Sequence, residues 1–319
     1  RRLFWLIVGG MSVAAYAITI RTYGTTIRLV TLQEVYLQRG LAVEIGAGAL
    51  ARYLMSWQAL VINPMLMAMG IARRRPLLFF AGIGGQVFFF AVAAQRILLA
   101  TPFIVLGFNA LVRRDGKAFG FKATIASAAA FTFPILVFAG GGVLQTISAL
   151  LFDALLSRLY LNSGFLSVLY FKFFANHPHV GFAEVKPLNL FFHSPYSDSY
   201  PVALSYDVWG FANDPNTNLF ADGFAQLGYS GLMIEALGLA FMFWLLDSIA
   251  RQRKLSVWFV AMICAGQVSS VINASTSNII LGDGMALLII LLATLPMSES
   301  VAHERERKMH RAVPAARVA

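Results

Sequence analysis

Apolar residues in this chain come in long runs, not in the alternating or 3.6-residue patterns of a soluble domain. Runs at roughly 3–20, 50–72, 77–95, 97–112, 118–140, 228–248, 255–273 and 280–297 approach the ~20 apolar residues that carry a helix across a bilayer. They predict an all-α polytopic membrane protein with about eight transmembrane helices, a single membrane domain over residues 1–319. Pro64 and Pro134 fall inside two runs and are expected to kink them. Between runs, residues 21–49 and 141–227 are long enough to build a site. In the longer stretch Leu144, Ile147, Leu151, Leu155 and Leu159 recur at helical spacing, with Asp153 and Arg158 on other faces. That pattern predicts an amphipathic helix lying in the membrane interface, and residues 164–175 read as a second, more apolar one. From Asn176 to Pro215 the chain turns aromatic and polar, and five prolines are expected to break regular structure there.

Composition fixes the class. Only 13% of the residues are charged and 58% are hydrophobic, against about 25% charged in soluble domains. The net charge of +10 lies in short clusters between runs, which speaks for topology and against nucleic-acid binding. Arg1-Arg2, Arg73-Arg74-Arg75, Arg113-Arg114-Lys117-Lys122, Arg251-Arg253-Lys254 and the basic tail at 298–319 all fall on one side of an eight-span arrangement. They hold 17 of the 25 basic residues but only 5 of the 15 acidic ones. The positive-inside rule then places both termini in the cytoplasm, with 141–227 as a large periplasmic loop. The first span is expected to serve as its own insertion signal. No internal repeat is visible, so the inverted-repeat mark of many secondary transporters is missing. The lone Cys264 lies in an apolar run and offers no disulfide or cluster chemistry. His177-Pro178-His179 lacks a third ligand at a recognisable spacing, so no metal is expected.

Against this topology several arginines stand on the outer side. Arg21, Arg28, Arg39, Arg96 and Arg158 fall at or beyond the outward ends of spans, and Arg52 lies just inside one. A permanently charged fork at an apolar boundary is costly unless an anion meets it, although such side chains also reach out to lipid headgroups or to acidic neighbours.

The stretch Asn216 to Gly231 leads directly into the span ending near Asp247. It resembles the end of the large periplasmic loop in bacterial oligosaccharide repeat-unit polymerases, the Wzy-type proteins related to O-antigen ligases. Asn218, Gln226, Gly228 and Gly231 stand at matching positions. Val35-Tyr36-Leu37-Gln38-Arg39 is similar to the Val-Tyr-x-x-Arg segment of such polymerases, and Gln95-Arg96 to their arginine at the outer end of a mid-chain span. Thr217 stands where ligase-type members carry histidine, so ligase histidine chemistry does not carry over. The resemblance implies a GT-C-like bundle in the bacterial inner membrane. Its activity would be glycosyl transfer from an undecaprenyl diphosphate carrier to a hydroxyl of the next lipid-linked repeat unit, without a cofactor. Partners would be undecaprenyl-diphosphate-linked oligosaccharides and membrane lipids, with a chain-length regulator and a flippase. Arg39, Arg96, Arg158 and Arg28 would hold the diphosphate, since guanidinium binds phosphate bidentately without a metal.

For a base, Asp222, Asp214, Glu34 and the loop histidines are the candidates. Asp222 also reads as a helix-capping carboxylate and Asp214-Pro215 as a turn. Carboxylates near arginines are held low and make weak bases, so orientation of the acceptor is the alternative source of rate. Glu235 is a candidate partner for Arg52 or Arg96, and the loop aromatics serve either sugar stacking or interfacial anchoring. A ligase, or a carrier of anionic lipid-linked sugars, shares many of these features.

Overall fold

The computed structural model describes residues 2–31, 34–112, 121–122, 124–126, 128–129, 132, 162–185, 188–213, 215 and 218–296. Every regular element among them is helical. The thirteen α-helices are α1 (Arg2–Tyr23), α2 (Val35–Glu44), α3 (Ala49–Trp57), α4 (Asn63–Ala72), α5 (Pro76–Ala93), α6 (Arg96–Leu111), α7 (Asn162–Phe174), α8 (Tyr200–Trp209), α9 (Leu219–Leu227), α10 (Tyr229–Gln252), α11 (Val257–Ile263), α12 (Val268–Asn273) and α13 (Met285–Thr294). Four helical stretches, Arg2–Tyr23, Ala49–Ala72, Pro76–Ala93 and Tyr229–Gln252, are long and apolar enough to cross a membrane. This is a multi-pass membrane protein. The run at 118–140, the stretch 144–160 expected to form an interfacial helix and the basic tail lie largely or wholly outside the described residues.

The expected kink at Pro64 takes a specific form. α3 and α4 are joined without a break by a π-helical turn, Gln58–Ile62, and Pro64 follows in the first turn of α4. A proline cannot donate to the carbonyl one π-turn earlier, that of Ala59. Gln86 of α5 supplies the missing donor, its Nε2 lying 2.8 Å from the Ala59 oxygen. Glycines allow the close approach this needs. A Cβ on Gly70 would lie 2.5 Å from the Phe79 nitrogen, and one on Gly82 would lie 2.7 Å from the Asn63 oxygen. α4 and α5 therefore pack backbone to backbone, as small residues permit inside membranes.

The runs at 255–273 and 280–297 are also interrupted. α11 passes through a 3-10 turn, Cys264–Gln267, into α12, and α13 follows a π-helical turn, Asn278–Gly282. Two of the basic clusters assigned to one side, those of Arg73 and Arg253, meet just after α13. Arg73 Nη2 donates to the Pro296 carbonyl at 3.3 Å and Arg253 Nη2 to that of Leu295 at 2.5 Å. Both arginines bind carbonyls of the two residues that follow α13, beside its C-terminal end, where cations are favoured.

The described residues between 162 and 227 hold more helix than the prolines there suggest. Pro201 sits in the first turn of α8, where a missing N–H costs nothing, so it starts a helix rather than breaking one. α7 does not stand alone as an interfacial helix. It buries Tyr170, Phe173 and Phe174 in a small core with Leu204 of α8 and Ala221, Phe224 and Ala225 of α9.

Candidate functional site

Two groups of residues carry charge or titratable chemistry on the candidate outer side. The first surrounds the corner between α5 and α6. Ala94 ends α5 in the left-handed region at φ 47°, Gln95 is extended, and α6 begins at Arg96. The segment after α1 lies against this corner, with the Arg28 N–H donating to the Ala91 carbonyl at 3.2 Å. Gln38 of α2, fully buried, fixes that arrangement. Its Nε2 donates to the carbonyls of Thr26 (2.8 Å) and Ala91 (3.3 Å), and its Oε1 accepts from Arg28 Nε at 3.1 Å.

Arg39, the next residue, donates from Nε to the Ala94 carbonyl at 3.2 Å. Burial and, after it, the charge of Arg96 pull the Arg39 guanidinium below the ordinary arginine value. Arg28, Arg39 and Arg96, from three separate segments, thus gather at one corner. Like charges held this close repel, and an anion between them relieves the repulsion. Sequence reasoning passed over Gln38. The only signal for it was an amide one position before Arg39 within an otherwise short helical segment. Arg158 lies outside the described residues, and Arg52 lies beside Tyr23 at the end of α1.

No family model, curated protein or solved structure matches this chain. What its residues can do therefore rests on their own geometry.

The second group is built on α9. Asn218, not Asp222, caps this helix. The Asn218 Oδ1 accepts from the N–H groups of Phe220 (3.1 Å) and Ala221 (3.0 Å), while its Nδ2 donates to Ser167 Oγ of α7 at 2.6 Å. Asp222 stands one turn further in, where no orphan donors remain. Its side chain is 2% exposed and accepts a hydrogen bond from the Tyr200 hydroxyl of α8. Burial pushes the Asp222 carboxyl up to about 7. The Glu235 and Glu184 carboxylates push the same way, while hydrogen bonds from Tyr200 and Gln226 pull it back. No arginine figures among these influences, so the expectation of a carboxylate depressed by neighbouring guanidinium is corrected here. Burial and the Asp222 charge likewise push the Tyr200 phenol well up, so it stays a donor. Asp214 lies outside the described residues.

The motif residues explain how this carboxyl is kept in place. Gln226 Oε1 accepts from the Phe182 N–H at 2.8 Å, and the Val180 and Gly181 N–H groups donate to the Ala225 and Gln226 carbonyls at 3.0 and 2.8 Å. The His177–Val185 segment is thereby tied to the end of α9. Gly228 turns the chain into α10 at φ 62° and ψ −139°, a conformation only glycine adopts readily. A Cβ there would also lie 3.3 Å from His179 Nε2. Gly231 faces the Gly223 backbone so closely that any Cβ would overlap its carbonyl oxygen. That crossing brings Glu235 of α10 against α9, its Cγ 2.9 Å from where a Gly223 Cβ would stand. Glu235 meets neither Arg52 nor Arg96 as a partner. Its Oε2 accepts from the Thr276 N–H at 2.8 Å.

Two of the loop histidines take structural places, while His193 is exposed. His177 stacks on Phe173 at 4.0 Å with its Nδ1 2.9 Å from the Phe173 carbonyl, and His179 packs edge-on to Phe224. Among the described residues no group of three or more His, Cys, Asp or Glu is placed to hold a metal ion. Of the loop aromatics, Tyr196 and Tyr200 pack on Phe174, whereas Phe191, Phe192, Tyr206 and Phe211 are exposed; Tyr196 and Tyr170 donate from their hydroxyls to the Pro178 (2.6 Å) and Pro215 (3.1 Å) carbonyls.

Two expected outcomes follow from this packing. Gly231→Ala forces α9 and α10 apart and lowers stability by about 1–3 kcal/mol, the usual cost of overpacking, as a lower thermal midpoint in detergent would register. Glu235→Gln removes one of the negative charges facing Asp222, so the protonated-carboxyl infrared band of Asp222 disappears at lower pH than in the wild type. An unmoved band would mean that burial alone sets the value.

Proposed function

We propose that this protein is a polymerase of lipid-linked oligosaccharides, joining undecaprenyl-diphosphate-linked repeat units at the periplasmic face of the bacterial inner membrane. The remaining topology belongs to the same proposal: about eight spans in a GT-C-like bundle, cytoplasmic termini, and residues 141–227 as the periplasmic loop. The meeting of Arg28, Arg39 and Arg96 at one corner is the observation that carries this reading. A diphosphate leaving group gains charge as its bond to the anomeric carbon breaks, and fixed guanidinium groups stabilise that charge more in the transition state than before it.

On the acceptor side, the Asp222 carboxylate would take the proton of the attacking hydroxyl. With its value near 7, about half of it is ionised at neutral pH, a favourable balance for a general base. The hydroxyl oxygen then forms the new glycosidic bond, and undecaprenyl diphosphate departs with the electron pair onto the arginines. The reaction is downhill without a nucleotide, and no step in it calls on a metal. That the arginine corner and Asp222 face one substrate is part of the proposal.

Purified protein in lipid nanodiscs, given synthetic undecaprenyl-diphosphate repeat units, is expected to yield glycan dimers and longer chains with release of undecaprenyl diphosphate. Movement of the lipid between leaflets without a new bond would instead make it a carrier. Transfer of glycan only to a non-identical lipid or protein acceptor would make it a ligase.

A further inference from the structure

α8 starts without a cap of its own. Ser199 precedes it and makes no side-chain capping bond, and Pro201 in its first turn has no N–H to offer. The Tyr200 N–H is met instead from far upstream, by Glu184 Oε1 at 3.0 Å. A carboxylate in that place is favoured by the open donors and the positive end of the helix dipole. The same oxygen accepts from Ser194 Oγ at 3.1 Å, and Ser194 Oγ in turn accepts from the Tyr196 N–H at 3.3 Å. Glu184 thus fixes the backbone from which the Tyr200 side chain projects. That side chain is stiff, and its ring is wedged between Tyr170 and Phe174, with centroids 6.2 and 6.1 Å away. Where its backbone nitrogen is held therefore decides where its hydroxyl ends, and it ends on Asp222. The circuit closes through α9. Phe182, two residues before Glu184, donates from its N–H to Gln226 Oε1 at 2.8 Å, and Gln226 lies one turn beyond Asp222.

We propose that Glu184 is a positioning residue for Asp222 and acts through Tyr200. It holds the tyrosine whose hydroxyl keeps one carboxylate oxygen of Asp222 in place. Glu184 then acts on Asp222 in two opposite senses. Through space its charge, like that of Glu235 on α10, favours the protonated carboxyl. Through Tyr200 it secures a hydrogen bond that favours the ionised one. The carboxyl thereby stays ready to ionise although it is buried beside two acidic neighbours. What this means for turnover rests on the reading of Asp222 as a base in glycosyl transfer; the placement itself does not.

The test uses the full chain in nanodiscs and the pH midpoint of the protonated-carboxyl infrared band of Asp222, identified as the band lost in Asp222→Asn. Glu184→Gln removes the charge but keeps an oxygen that accepts from the Tyr200 N–H, so the midpoint is expected at lower pH than in the wild type. Glu184→Met removes the same charge and fills a similar volume, but offers the Tyr200 N–H no good acceptor. Its midpoint is expected above that of Glu184→Gln. With Tyr200→Phe added there is no hydroxyl left to hold, and the two Glu184 variants are expected to share one midpoint. Equal midpoints while Tyr200 is present would overturn the proposal, since Glu184 would then act by charge alone. A gap that survives Tyr200→Phe would overturn it as well. Glu184→Ala serves the same comparison if Glu184→Met does not reach the membrane. Turnover tells this inference apart from the functional reading: dimer formation is expected to lose more kcat, at similar KM, in Glu184→Met than in Glu184→Gln. Wild-type protein that joins no repeat units would remove the functional reading and leave the infrared midpoints to decide on Glu184.

Discussion

Asp222→Asn is expected to lower glycan dimer formation by about 10²–10⁴-fold, the range a general base contributes, while leaving the protein in the membrane at wild-type levels. Asparagine keeps the shape of the side chain and can still accept from the Tyr200 hydroxyl, so the α8–α9 contact survives. In the wild type the rate should rise with pH through an inflection near 7, where burial places the Asp222 carboxyl. Glu235→Gln should move that inflection to lower pH. Stability runs the other way. The folded-state value, about 7, lies above the ordinary 3.8, so the folded chain holds a proton that the unfolded chain has released between those values. The group's contribution to stability is therefore lost as pH rises through that interval, and Asp222→Asn should become relatively more stable than the wild type above pH 7. A full rate in the asparagine variant would remove Asp222 as base and leave acceptor orientation as the source of the rate.

Arg39→Ala and Arg96→Ala are each expected to cost about 10²–10³-fold in turnover, the usual loss when one preorganised charge donor is removed from a transition state. Long glycan should vanish from cells carrying either variant while membrane abundance holds. Lysine at position 39 should restore only part of the activity, because a point charge cannot grip two phosphate oxygens with one planar fork. The two arginines feel each other's charge, so the double variant should fall less than the product of the single losses. Strictly multiplicative effects would mean that the two act at separate places. Chain-length ladders of normal size in both single variants would dispose of the corner as a diphosphate site.

Much of this was legible in one dimension. Bilayer-length apolar runs fix the membrane class, because lipid tolerates backbone polar groups only when they are paired within a helix. All four long spans fall where those runs predicted, and the shorter apolar helices α6, α11 and α13 lie within others. Two of the basic clusters sorted to one side converge just after α13, since Arg73 and Arg253 bind the carbonyls of Pro296 and Leu295. The glycines of the Asn218–Gly231 stretch were picked out by pattern, and their reason is backbone geometry: a positive φ at Gly228 and a backbone contact at Gly231.

What the sequence could not supply was partnership across elements. Asp222 read first as a helix cap and second as a base; the structure gives the cap to Asn218, which accepts from the Phe220 and Ala221 N–H groups, and buries Asp222, which raises it. Glu235 looked like a partner for arginine and instead holds the Thr276 N–H. Gln38 fixes the arginine corner and Gln86 replaces a bond that Pro64 cannot make, and both bonds reach residues far away in the chain. Hydropathy is a property of single residues summed along the chain, so the sequence by itself determined the membrane class and the main spans. A carboxyl's proton affinity, a guanidinium's neighbours and the donor for an orphaned carbonyl depend on residues far apart in the chain, so only the tertiary structure decided them.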